Sequence, residues 1–263
     1  MARIYTIVNQ KGGVGKTTTA INLSTYLGHY NQSVLIVDLD SQANATSCLG
    51  VDKNTIKSGT YEVLIGAAPI GPQILRNPHY KISLLPASPA LAGAEVELID
   101  LPQRESRLKV ALAQVSSRYQ YIIIDCPPSL SLLTINGLVA AQGGVIIPVQ
   151  CEYLALEGLG QLSQTLAKVR VSMVPDLKVR GVVLTMFDSR TRLANDVVAE
   201  VHNHFPDQVF KSVIPRSVRL AEAPSYGQPI SIYAPDSHAA RSYDALAREI
   251  LEQDGVSIPQ SQS

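Results

Sequence analysis

The run Asn9-Gln10-Lys11-Gly12-Gly13-Val14-Gly15-Lys16-Thr17-Thr18 constrains this chain more than any other stretch. An apolar, β-branched segment at residues 3–8 leads into it, and Ala20-Ile21-Asn22-Leu23-Ser24 continues it with a helix-like pattern. A strand, a glycine-rich turn and a helix start together make a cradle for phosphate. The backbone N–H groups of Gly12, Gly13, Val14 and Gly15 can converge on anionic oxygens, and the helix start at Lys16, Thr17 and Thr18 adds its positive end. Lys16 has the reach for β- and γ-phosphates, and the Thr17 hydroxyl suits Mg²⁺. The general pattern G-x-x-x-x-G-K-[ST] asks for a glycine at position 10. This chain has Gln10 there, and a second lysine, Lys11, at the front of the loop.

Further β-branched runs recur at 33–38, 81–86, 120–125, 144–149, 179–186 and 208–214. Several are apolar throughout instead of alternating, the pattern of parallel strands buried on both faces. Helix-like segments lie between them near 17–29, 104–117, 131–141, 157–171 and 191–204. A last one near 237–253 carries Ala239, Tyr243, Leu246, Ala247 and Ile250 at helical spacing. Such alternation predicts right-handed βαβ crossovers and an α/β fold, a doubly wound, mostly parallel β-sheet flanked by helices. Residues 50–103, with Pro69, Pro72, Pro78, Pro86, Pro89 and Pro102, follow no clear pattern. One domain over 1–254 is expected, followed by a polar, frayed tail over 255–263.

At 263 residues and 46% hydrophobic content the chain can bury a large core. No apolar run approaches the roughly 18 residues that span a bilayer. Met1 leads straight into the first strand, so neither a secretory signal nor an N-terminal helix-turn-helix domain is expected. Cys48, Cys126 and Cys151 are odd in number and widely spaced, which fits reduced cytoplasmic thiols and not a disulfide framework or a zinc site. With 22 basic and 22 acidic residues the chain is neutral, which excludes a histone-like polycation but leaves DNA binding by a local patch open.

A phosphate cradle needs metal and water partners. Asp38 and Asp40 end the strand Val34-Leu35-Ile36-Val37, and side chains two apart on a strand share a face, so both are expected to look into the phosphate crevice. Asp125 ends the apolar strand Tyr121-Ile122-Ile123-Ile124 and is followed by Pro127-Pro128, a Walker-B-type arrangement for Mg²⁺. Each aspartate alone would also fit a cap or turn at a strand end. Their coincidence with the loop points to nucleotide binding. Lys11, taken alone, fits a solvated surface charge better than a functional role.

Between 178 and 219 seven basic residues, among them Arg190 and Arg219, face four acidic ones. A solvated face explains that excess as well as a DNA surface does. Several strings resemble the ParA/Soj family of partitioning ATPases: residues 9–23, Val37-Asp38-Leu39-Asp40, Ile124-Asp125-Cys126-Pro127-Pro128 and Pro148-Val149-Gln150-Cys151-Glu152-Tyr153. So do Thr185-Met186-Phe187-Asp188 and residues 214–225. The matches run in order from residue 4 to about 250.

That resemblance implies a P-loop NTPase with a deviant Walker A motif, ATP and Mg²⁺ as ligands, and catalysis by Lys11, Lys16 and Asp40. Lys11 would cross to the nucleotide of a second subunit in an ATP-sandwich homodimer, which places positive charge where negative charge develops. Asp40 would orient the attacking water, and Thr17, Asp38 and Asp125 would lie at or near the metal. Adenine would rest around Pro215 and Ser217, the serine standing where many relatives have asparagine. Met186 and Phe187 fit either the base site or the core. Arg190 and Arg219 match arginines that bind the backbone of double-stranded DNA without reading sequence. A ParB-like partner would stimulate hydrolysis and release the protein from the nucleoid in the cytoplasm.

A MinD-like, membrane-cycling ATPase is the nearest alternative. It needs a basic amphipathic C-terminal helix, whereas this chain ends in Leu251-Glu252-Gln253-Asp254-Gly255. An iron protein bridged by cysteines, or an ATP-dependent ligase on the same core, would require a cluster spacing or a substrate pocket that the residues do not suggest.

Overall fold

In the computed structural model, which describes residues 2–77, 80–152 and 155–258, the strands are β1 (Arg3–Ile7), β2 (Val34–Asp38), β3 (Leu75–Asn77), β4 (Ile82–Leu85), β5 (Tyr121–Asp125), β6 (Gly144–Gln150) and β7 (Val179–Thr185). The helices are α1 (Lys16–His29), α2 (Asn44–Cys48), α3 (Thr60–Ile65), α4 (Ile70–Gln73), α5 (Leu91–Glu97), α6 (Arg107–Ala113), α7 (Leu132–Ala140), α8 (Ala155–Ser172), α9 (Arg192–His204), α10 (Val218–Glu222), α11 (Ile230–Tyr233) and α12 (His238–Gln253).

The strands form one sheet in the order β3-β4-β2-β5-β1-β6-β7. All neighbours pair in parallel except β3, which runs antiparallel to β4 at the edge. Every residue of β2 and β5 is buried. Their side chains sort by the two-residue period of a strand. Val34, Ile36, Tyr121 and Ile123 join the core under α1 and α12, while Leu35, Val37, Ile122 and Ile124 join the core under α3, α6 and α7. A third cluster packs β6 and β7 against α8 and α9. The chain therefore leaves β1 at the middle of the sheet, winds outward through β2 and β4, and returns through β5. The C-terminal ends of β1, β2 and β5 lie together at the crevice where open α/β sheets bind ligands.

One expectation changes. Residues 208–214 do not form a strand. Val182 N–H donates to Gln208 O and Phe210 N–H to Val182 O, and pairing with β7 resumes only at Ile214. Between these points the Glu249 carboxylate takes the N–H groups of Lys211 and Ser212, 2.8 and 3.1 Å away, so a side chain replaces the ladder. Residues 50–103, without a clear pattern in sequence, fold into α3, α4, β3 and α5 besides β4. Val256 and Ile258, within the segment expected to fray, pack against the core below α12.

Candidate active site

β1 feeds a loop that ends where α1 starts. Gly13 and Gly15 carry positive φ angles of 76° and 88°, so an L side chain at either would be strained. A Cβ built on Gly12 or Gly13 would meet nothing within 4 Å, so the loop presents bare backbone to open space. Neighbouring strands pin it. Asn9 Nδ2 donates to Pro148 O (2.8 Å), Asn9 Oδ1 accepts Lys11 N–H (3.0 Å), and the Thr185 hydroxyl donates to Val14 O (2.9 Å).

Lys16 is buried, and its Nζ donates to Lys11 O at 3.0 Å, bridging the back of the loop to the front. Burial pulls its ammonium below the usual lysine pKa, and the nearby charges of Asp125 and Asp40 oppose that shift. The Thr17 hydroxyl donates to Asp125 Oδ2 at 2.7 Å. Asp125 is fully buried, and among the described residues its Oδ1 has no hydrogen-bond partner. Burial, then the neighbouring Asp38 charge, pushes its pKa well above the carboxylate range. A hydroxyl beside a carboxylate with one unsatisfied oxygen suits Mg²⁺, which takes few protein ligands and keeps several waters. The residues present therefore fit the ion.

Asp38 and Asp40 do not play equal parts. Asp38 is fully buried, and its Oδ2 accepts both the N–H (2.8 Å) and the hydroxyl (2.7 Å) of Thr46 on α2. Its Oδ1 accepts Asp40 N–H at 3.2 Å. Burial raises its pKa to about 6 against the lowering effect of the Thr46 bonds. Asp40 lies in the turn beyond β2, with its Oδ1 accepting Gln42 N–H (2.9 Å). It lines a pocket of about 240 Å³ together with Gly12, Gly13, Lys16, Thr17 and Thr18.

A second pocket, of about 360 Å³ and mostly apolar, shares Gly15, Thr18 and Met186 with the first, and Pro215, Ser217 and Leu220 line it. A flat, apolar ring next to a phosphate cradle is the shape the two pockets accommodate. Met186 adopts left-handed backbone (φ 53°), rare for a bulky residue, at the edge common to both. Phe187 packs into the core between β7 and α9.

Arg190 and Arg219 lie on the surface. The Arg190 guanidinium makes a two-pronged contact with Asp188, at 2.8 and 2.6 Å, and its side chain is 86% exposed. Arg219 donates to Glu222 at 3.0 Å, and the Tyr233 hydroxyl donates to the same carboxylate oxygen. Sequence reasoning missed Thr46 and gave Asn9 and Thr185 no role of their own, because the partners Asp38, Pro148 and Val14 lie 8, 139 and 171 residues away.

Against known proteins, the family described as an AAA domain matches residues 2–179. The chain is 49% identical over 259 residues to a chromosome partitioning protein ParA of Myxococcus xanthus, which spans 98% of this chain and 91% of that protein. It is 50% identical over 250 residues to the sporulation initiation inhibitor protein Soj of Bacillus subtilis, spanning 95% and 98%. Among solved structures it superposes on a cobyrinic acid a,c-diamide synthase of Mycobacterium smegmatis with bound ADP and magnesium. The TM-score is 0.84 at 37% identity, covering 100% of both chains.

Proposed function

This chain belongs to the ParA/Soj family of chromosome-partitioning ATPases, and we propose that it partitions DNA through an ATP-driven cycle of dimerisation and nucleoid binding. It is a Mg²⁺-dependent ATPase. The carrying observation is the crevice itself. Thr17 and the half-satisfied Asp125 carboxylate stand beside Lys16 and Asp40, next to an apolar pocket sized for a base. Relatives nearly half identical and named for partitioning favour that reading over the synthase reaction in the structural neighbour's name.

Backbone N–H groups of Gly12 to Thr18 hold the phosphates, with the ATP base against Pro215 and Ser217. Lys16 leaves the Lys11 carbonyl to neutralise the β- and γ-phosphates. Bound Mg²⁺ supplies positive charge that offsets the charge on the phosphate oxygens. Thr17 and Asp125 hold it, and Asp38 acts from behind them. Asp40 orients the attacking water, and a loose transition state needs little more than such positioning. Lys11, whose main chain is held at both ends, projects its side chain toward the nucleotide of a second copy and so makes turnover depend on the dimer. Arg190 and Arg219 bind DNA phosphates, and a ParB-like partner stimulates hydrolysis and release in the cytoplasm.

The membrane-cycling alternative finds no support in α12. Its apolar stripe, Ala239, Tyr243, Leu246, Ala247 and Ile250, is buried against α1. Among the described residues, no helix is long and apolar enough to cross a membrane.

The test is gel filtration of Asp40→Ala with ADP and with ATP, each with and without DNA. A dimer with ATP alone, and DNA carried only by that dimer, is the expected result. A monomer with ATP would remove the sandwich, and equal DNA binding with ADP would remove the nucleotide switch.

A further inference from the structure

The Thr46 hydroxyl occupies a junction between α2, the end of β2 and the segment after β4. Thr46 is fully buried on α2, and its oxygen accepts the Ala87 N–H at 2.9 Å from the segment after β4. A threonine hydroxyl has one proton, and here that proton points at Asp38 Oδ2, 2.7 Å away. The Thr46 N–H donates to the same oxygen. Asp38 Oδ1 in turn accepts the backbone N–H of Asp40. All three groups facing the Asp38 carboxylate are donors. A fourth contact ties the same point to α3, because the Thr60 hydroxyl donates to Asp38 O at 2.8 Å.

We propose that Thr46 is a positioning residue for ATP hydrolysis, which holds the Asp38 carboxylate so that Asp38 fixes the backbone, and hence the side chain, of Asp40. The inference rests on Asp40 orienting the attacking water. Its basis is a relay of four consecutive groups, from Ala87 N–H to the Thr46 hydroxyl, the Asp38 carboxylate and Asp40 N–H. Asp40 follows β2 in a turn, and Asp38 Oδ1 is the acceptor for its N–H. Asp38 is fully buried and both its oxygens are engaged by Thr46 and the Asp40 N–H, so its carboxylate acts through the turn. Ala43, in left-handed backbone (φ 52°), starts α2 so that Thr46 faces inward.

Valine keeps the shape of threonine while deleting both the donor to Asp38 and the acceptor for Ala87 N–H. Serine keeps both. Thr46→Val is therefore expected to lower kcat by about 100-fold, the cost of misplacing a catalytic group by roughly 1 Å. The Kd for ATP should stay within about twofold, because the phosphate loop is untouched. The Mg²⁺ concentration for half-maximal rate should also hold, whereas a metal ligand's loss would move it. Thr46→Ser is expected to restore most of kcat.

Asp38→Asn interrupts the relay from the other side, since a carboxamide presents one acceptor oxygen where three donors converge. It reports on the same path if Thr46→Val does not fold, and the double variant should be no slower than the slower single. The measurements are steady-state ATPase rates, fluorescent-ATP titrations and thermal unfolding of each variant beside Asp40→Ala. Normal turnover by Thr46→Val or by Asp38→Asn, or a Thr46→Ser as slow as Thr46→Val, would overturn the proposal. Normal turnover by Asp40→Ala would instead remove the reading of Asp40 on which it rests.

Discussion

At the scale of single residues the site is built from carboxylates that the fold has put under stress. Asp38 and Asp125 are both fully buried, at the ends of adjacent strands in register with each other. Burial raises the pKa of both, and the Asp38 charge raises that of Asp125 further. A carboxyl whose folded pKa exceeds its unfolded value favours folding below the unfolded value and loses that contribution as pH rises through the folded one. Without metal, then, ionised Asp125 opposes folding at neutral pH. Asp125→Asn keeps the shape and removes the charge. It is expected to be more stable than the parent at pH 8 without Mg²⁺, by a few degrees, since about 1 kcal/mol moves Tm by roughly 2–4 °C in chains of this size. The gap should vanish toward pH 4, where the parent carboxyls are protonated. Hydrolysis should be lost at every pH. Thermal unfolding scans at the two pH values check this; an Asn variant less stable at pH 8 would mean that the Thr17 bond outweighs the charge.

At the scale of elements, the run 208–214 shows how a side chain can take the place of a strand. Glu249, on α12, binds the N–H groups of Lys211 and Ser212 and also the Ser212 hydroxyl (2.9 Å). The same helix thereby holds the segment that carries Pro215 to the apolar pocket proposed for the base. Glu249→Ala is expected to cost about 1 kcal/mol of stability, the usual net worth of such bonds, and to weaken ATP binding several-fold. Glu249→Gln should lose less of both, because its carbonyl oxygen still accepts. Chemical denaturation and fluorescent-ATP titration measure the two effects. The example also marks where sequence reading stops. β1, β2, β4, β5, β6 and β7, with α1, α6, α7, α8, α9 and α12, were legible because burial on both faces leaves mostly apolar strands and the longer helices keep their spacing. Position 249 lies 37 residues from Ser212, and no periodicity connects them. The phosphate loop and Asp125 were legible for a similar reason: their chemistry fits within one strand and the turn after it. The unequal parts of Asp38 and Asp40 were hidden, because strand spacing puts both on one face while the chain has left the strand by Asp40. Thr46, which separates them, has no pattern of its own.

At the scale of the whole molecule, neutrality would make the proposed DNA binding depend on assembly. The chain has no net charge, and both arginines singled out for DNA are already paired with carboxylates. The opposite end of the sheet is tied shut by Asp254, which accepts from Tyr5, Tyr121 and Arg180. At Arg190 and Arg219 a single copy therefore offers phosphate contacts that must first displace an acid, and surface ion pairs of this kind are worth about 0–1 kcal/mol each. Two copies double the contacts within one binding event. Each phosphate neutralised contributes about −0.9 to the slope of log affinity against log salt. Arg190→Ala or Arg219→Ala removes two contacts from a dimer, so the slope should become shallower by about 2, while ATP-driven dimerisation is retained. Asp188→Asn should act in the reverse sense, raising DNA affinity by releasing Arg190 from its partner. Fluorescence anisotropy of a labelled DNA duplex, titrated with the ATP-bound dimer across a salt series, reads both. Unchanged slopes in the arginine variants would take these residues out of the DNA surface. An Asp188→Asn variant with weaker binding would mean that Asp188 orients Arg190 for phosphate instead of competing for it.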